Sequence, residues 1–354
     1  MRKQMNLILI VFCVCLLFCS CSLWMDGSYV SVTPNQTAGD NDSVGNIQVT
    51  SYQQMQDALT DMVEEGASEA VIYVAALNDE QLQDAIDKAI EYATGTNPIG
   101  AYAVKEITYD IGTSMGRTAV ALKLTYNQNR SRILQIKQAE TMDDVRTLIR
   151  ASLDNCDSGT VVRVKNFEEI DVVQYVQNYV DLYPQKCMEV PQVSVATFPE
   201  EGQERVIEIS LSYQTNRESL RSMQQFVKDI FKSAQLYINP GAENDEKYAQ
   251  LYTFLMERYS YFVETSITPT YSLLRHGVGD SKAFATVYAA MCRQVDLNCT
   301  VISGTRSGEA WHWNVIFDGE IYYYVDLLAC HDAGTFHLKT ADEMTGYVWD
   351  FSAF

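Results

Sequence analysis

The side chains able to act as nucleophile, base or metal ligand are few, and they cluster. All four histidines, His276, His312, His331 and His337, lie in the last quarter of the 354-residue chain. They accompany a Gly-rich turn, His276-Gly277-Val278-Gly279-Asp280-Ser281, and two apolar runs, Trp311-His312-Trp313-Asn314-Val315-Ile316-Phe317 and Ile321-Tyr322-Tyr323-Tyr324-Val325-Asp326. Hydroxyl, imidazole and carboxylate are the ingredients of acyl transfer, provided that the imidazole can take the hydroxyl's proton. The nine cysteines include no CxxC pair, which argues against zinc, and no Asp-rich loop has EF-hand spacing. No cofactor is expected. Cys156, Cys187, Cys292, Cys299 and Cys330 lie beyond the N-terminal segment. They leave two readings open: one disulfide, such as Cys156–Cys187, or free buried thiols.

Several elements must position these residues. After the turn comes a helix of small and apolar residues, among them Ala283, Ala285, Val287, Ala289 and Ala290, and then a strand over Cys299–Ile302. Asp318-Gly319 between alternating runs is a strong hairpin signal. Upstream, Ser219–Leu236 and Asn244–Phe262 read as helices, the second rich in Tyr.

The stretch from about Thr268 to Asp350, with its helix, its Trp313-Asn314, its Asp318-Gly319 and its Val325-Asp326, resembles the transglutaminase-like core, a relative of the papain-type cysteine proteases. That family places a nucleophilic Cys at the start of a helix, a His on the next strand in an H-x-W-N motif, and an Asp on the strand after. The resemblance implies that Ser281 holds the Cys position, Trp311 the His position, and Asp326 the Asp position. The ending Gly346-Tyr347-Val348-Trp349-Asp350 also looks like that of bacterial members.

Two of the three catalytic positions are thus substituted. A thiol titrates near 8.5 and forms a thiolate readily at a helix N-terminus beside an imidazole. A serine hydroxyl needs a positioned base, and an indole N–H is a donor only. Losing a nucleophile–base unit costs on the order of 10⁶-fold in rate. The expected site is therefore degenerate, with Ser281 and Asp326 at catalytic positions and the Trp311 indole donating to Asp326. His312 is the alternative base. Strand alternation puts Trp311 and Trp313 on one face and His312 and Asn314 on the other, so His312 is expected to face away from the site unless a bulge turns it inward. Trp311, Trp313 and Asn314 are the expected binding surface, taking a peptide, protein or cell-wall ligand. His276, His331 and His337 are expected at the surface or in packing.

Residues 1–20 read as a lipoprotein signal peptide: Arg2 and Lys3, the apolar run Leu7–Phe18, then Ser20 before Cys21, the expected lipidation site. An uncleaved anchor is the alternative. Residues 21–47 read as a flexible tether. The chain would then be lipid-anchored in the cell membrane and face the extracellular or periplasmic side. Lys and Arg total 26 against 46 Asp and Glu, a net charge of −20, which disfavours nucleic acid.

Between tether and C-terminal domain the chain repeats itself. Leu124-Thr125-Tyr126-Asn127-Gln128-Asn129-Arg130 matches Leu211-Ser212-Tyr213-Gln214-Thr215-Asn216-Arg217, an offset of 211 − 124 = 87. Residues 48–135 and 136–220 are expected to be two modules, each running helix, strand, helix, strand, strand. The predicted fold class is α+β: two tandem α+β repeat modules followed by a transglutaminase-like (cysteine-protease-like) α+β domain over 221–354. Two functional readings follow. One is a cell-surface lipoprotein whose inactive C-terminal domain serves binding or scaffolding. The other is an acyl-transfer or peptide hydrolase enzyme using Ser281 with a rearranged His.

Overall fold

The computed structural model describes residues 47–75, 77–263 and 266–350. The expected signal peptide, the lipidation site Cys21 and nearly all of the tether lie outside the described residues.

A first four-stranded sheet has the order β1-β2-β4-β3, built from β1 (Ile47–Val49), β2 (Glu69–Val74), β3 (Val104–Ser114) and β4 (Arg117–Tyr126). Its helices are α1 (Tyr52–Glu65), α2 (Asp79–Glu91) and the short α3 (Pro98–Ala103). After the short α4 (Arg130–Leu134), a second sheet has the order β5-β6-β8-β7: β5 (Lys137–Ala139), β6 (Gly159–Val164), β7 (Gln192–Phe198) and β8 (Arg205–Ser212), with α5 (Met142–Asp154) and α6 (Val172–Leu182). In both sheets the first two strands pair in parallel and the remaining pairs are antiparallel.

Local chemistry accounts for these elements. Asn78 caps α2 and Thr141 caps α5, each through a reciprocal capping box. The helices bury apolar stripes, such as Leu82, Ala85, Ile86 and Ala89 on α2. The repeated Asn-Arg pair is a helix start: Asn129 accepts from Arg132 N, and Asn216 accepts from Ser219 N, each at 2.9 Å. Edge strands β1 and β5, each three residues long, were not anticipated; runs that short carry no readable alternation.

Helix α7 (Arg217–Tyr237) runs straight through the boundary expected at 220, and α8 (Asn244–Met256) ends short of Phe262. Strands β9 (Ser260–Tyr261) and β10 (Val278–Gly279) pair in parallel and lead to α9 (Ser281–Gln294). A third four-stranded sheet follows, in the order β13-β12-β11-β14: β11 (Cys299–Arg306), β12 (Glu309–Phe317), β13 (Tyr322–Val325) and the tail strand β14 (Tyr347–Trp349). Helix α10 (Leu327–Ala333) starts directly after β13. Cys156, Met188 and Leu220 sit in the same hydrophobic core as α7, α8 and α9, so the second sheet's unit and the C-terminal region share packing. Among the described residues no helix is long and apolar enough to cross a membrane.

Candidate functional site

Ser281 is the first residue of α9. The helix starts there because the Asp280 side chain accepts from Ala283 N at 2.8 Å, satisfying one of the open amides. Behind Ser281 the helix is buried almost all round, from Ala283 to Cys292. The helix is tied to the sheet by Asn314, whose Nδ2 donates to Ala285 O at 2.9 Å. Strand β13 pairs with β12 only as far as Asn314↔Val325. Beyond that point the main-chain N–H of His312 donates to Ser281 Oγ at 3.3 Å. Among the described residues this amide is the hydrogen-bond partner of Ser281 Oγ, and no imidazole nitrogen is. An amide is a donor and cannot serve as a base.

Asp326 collects donors. Its Oδ1 caps α10, accepting from Leu328 N at 3.0 Å and Ala329 N at 3.1 Å. Its Oδ2 accepts from Trp311 Nε1 at 2.8 Å and Tyr347 Oη at 2.7 Å, with Arg306 Nη1 at 3.3 Å. The carboxylate is buried, with 4% of the residue exposed. A buried charge persists only when paired and hydrogen-bonded, and these five contacts meet that need. Desolvation, together with the Asp326 carboxylate, pushes the Tyr347 phenol well above its ordinary range, so it remains a donor. Arg306 stacks over Trp311, its Cζ 5.2 Å from the ring centroid, and also reaches Tyr347. Tyr261 also packs against Trp311, at 5.4 Å between ring centroids.

The structure corrects three expectations. Trp313 does not line a surface. It is 1% exposed, wedged between Tyr347 and Trp349 at 5.1 and 5.6 Å between centroids. Strand β11 has Gly304 at this point because Trp313 needs the space: a Cβ there would lie 2.6 Å from its Cη2. Asn314 is 0% exposed and holds α9 in place instead of presenting itself to a ligand. His312 does not face away from the serine helix. Alternation does hold, with Trp313 and Asn314 on opposite faces, but α9 covers the His312–Asn314 face. The His312 imidazole sits in the field of Lys282, Asp280 and Asp181; burial first, then the Lys282 charge, hold its pKa below the ordinary value.

Among the described residues no other histidine is a hydrogen-bond partner of Ser281. His276 packs edge-on to Tyr271 at 5.7 Å, and His337 Nε2 lies 3.8 Å from Glu343. The cysteines Cys156, Cys187, Cys292, Cys299 and Cys330 are free and buried, which settles the choice between disulfide and free thiols for the described residues. Burial raises the Cys292 thiol well above its ordinary value, with Cys299 adding to the shift. Among the described residues no group of three His, Cys, Asp or Glu side chains could hold a metal ion.

Sequence reasoning missed Arg306, Tyr261 and Tyr347. The tail motif around Gly346-Tyr347 was visible. Its approach to Asp326 depends on β14 pairing with β11, Arg306 opposite Tyr347, which no local pattern encodes.

The helix that begins at Ser281, strand β12 with Trp311, and Asp326 directly after β13 follow one another in the order that the sequence resemblance implies. The profile of the transglutaminase-like superfamily matches residues 232–340, which form a transglutaminase-like domain. Comparison with curated proteins finds no match. Solved structures with similarity include a TGase at 9% identity and TM-score 0.27, covering 61% of this chain; this chain spans 63% of that one. A candidate cysteine protease from Cytophaga hutchinsonii has 10% identity and TM-score 0.26, with 44% of this chain and 70% of that one covered. A candidate protease from Parabacteroides distasonis has 9% identity and TM-score 0.24, with 73% and 39% covered.

Proposed function

We propose that this chain is a lipid-anchored envelope protein whose transglutaminase-like domain binds rather than turns over. The observation that carries the reading is the pair of donors at the two substituted positions. Ser281 Oγ receives an amide N–H, and the Trp311 indole is spent on Asp326. Without an acceptor for its proton, the hydroxyl is a poor nucleophile. Lipid on Cys21 would anchor the chain to the membrane, facing the extracellular or periplasmic side. The two sheets of identical strand order would be a duplicated module, separating the C-terminal cleft from the anchor. The partners would be peptide, protein or cell-wall material, recognised at Trp311. No cofactor enters this reading.

One observation favours the alternative of a serine acyl-transfer enzyme. His312 lies on the face that α9 covers, and its lowered pKa keeps it neutral near pH 7, as a base must be. The test is labelling with a serine-directed fluorophosphonate, alongside amide hydrolysis and amine transfer on glutamine peptides. The binding reading expects no label on Ser281 and no turnover. Turnover that disappears in both Ser281→Ala and His312→Ala would replace it with the enzyme reading.

A further inference from the structure

A cavity of about 150 Å³ opens beside Trp311, lined among others by Tyr261, Arg306, Leu328, His331 and Asp332. At roughly 30 Å³ per water this is the space of about five waters, room for one amino-acid-sized molecule. Trp311 and Tyr261, tilted by 50° to one another, and Leu328 give it an apolar wall. Its charged lining residues are of opposite sign. Arg306 spends one nitrogen on Asp326, and a guanidinium carries five N–H donors. Asp332 is exposed and its side chain makes no hydrogen bond or ion pair among the described residues.

From this arrangement we infer that the cavity takes a small zwitterion, a free amino acid or close analogue. Its carboxylate would meet Arg306, its ammonium Asp332, and its short aliphatic part Trp311 and Tyr261. The inference rests on the binding reading of the same site and goes beyond it, because it assigns this cavity a small molecule in place of the peptide, protein or cell-wall partner proposed above. Electrostatics separate the zwitterion from simpler ions. A bare carboxylate gains from Arg306 but meets Asp332. In addition, the chain's net charge of −20 lowers the concentration of anions near its surface. A bare ammonium gains from Asp332 but meets Arg306. A zwitterion answers both, and its net neutrality makes it indifferent to the overall charge. A guanidinium fork suits a carboxylate better than an ammonium point charge would, which explains an Arg at this position.

The experiment titrates the full chain with L-alanine (zwitterion), N-acetylalanine (anion) and alaninamide (cation), following the Trp311 indole N–H by NMR, assigned with Trp311→Phe. Alanine is expected to bind at least about tenfold tighter than either single-charge analogue, a difference of about 1.4 kcal/mol. Asp332→Asn, which leaves the Asp326 contacts untouched, should bring alanine down to the level of N-acetylalanine. Arg306→Gln should bring it down to that of alaninamide. Equal affinity for all three compounds, absence of binding at millimolar concentration, or an unchanged ranking in Asp332→Asn overturns the inference. Ammonia released from alaninamide in the same samples would instead overturn the non-catalytic reading, while the alanine titration still reports on the cavity.

Discussion

Replacing Asp326 by Asn keeps the shape of the side chain and removes its charge. The consequence can be worked from the contacts. Four hydrogen-bond donors and one cation converge on the carboxylate: two main-chain amides on Oδ1, Trp311 and Tyr347 on Oδ2, and the Arg306 guanidinium as an ion pair with Oδ2. An Asn amide has one acceptor oxygen and one NH₂, so either orientation turns an NH₂ towards donors. Hydrogen bonds to a charged group contribute about 1.5–3 kcal/mol each, and removing one partner of a buried charged cluster costs about 3–5 kcal/mol. The Arg306 side chain is 31% exposed, so solvent screens its share, and the indole and phenol bonds dominate. We expect Asp326→Asn to lose about 3–5 kcal/mol. At roughly 2–4 °C per kcal/mol for a unit of 150–250 residues, the Tm falls by about 6–20 °C. Calorimetry on the full chain measures the shift, and indole N–H exchange shows whether Trp311 is released. A loss below about 1 kcal/mol, the scale of one ordinary hydrogen bond, would refute the claim that this carboxylate organises the cleft.

Three further outcomes follow from the same geometry. Trp311→Phe keeps the ring face but deletes the donor to Asp326, and should cost about 1.5–3 kcal/mol in thermal unfolding. His312 has a folded pKa below its unfolded value near 6.5, so the unfolded chain takes up the proton first. Stability from neutral His312 is therefore present above about pH 6.5 and lost as pH falls below it. The urea midpoint of wild type relative to His312→Gln should drop between about pH 7.5 and pH 5.5, and a constant difference would contradict the shift. The five buried thiols should resist Ellman's reagent in the native state and react only in denaturant; prompt labelling of any one of them would show that its burial is wrong.

How far the site was legible depended on the range of each signal. Helices α1, α2 and α5 and the β11–β12–β13 meander were readable because periodicity, caps and the Asp318-Gly319 turn act within a few residues. The contact of the Trp311 indole with Asp326 was expected from their places in the family's motifs, whereas the β12–β13 ladder, which stops at Asn314↔Val325, does not set the two opposite one another. What failed was orientation in the third dimension. Alternation separates His312 from Trp311, but it does not say which face a helix thirty residues upstream will cover. Trp313 and Asn314 were misjudged for the same reason: an aromatic or an amide on a strand looks alike whether it meets solvent, a tail strand or a helix carbonyl. The tail was the hardest part, because β14 reaches the site only by pairing with the far side of β11.

Gly304 links these distant parts. Nothing but a hydrogen fits between its α-carbon and the Trp313 ring, and Val348 O of the tail strand crowds the same point. A methyl group there would have to evict either the indole or the tail. Losing the tail would carry the Tyr347 hydroxyl away from Asp326. A residue that touches no ligand and bears no side chain thus acts as the keystone between the last strand and the charged centre. Its substitution should empty the cleft while leaving both upstream sheets intact.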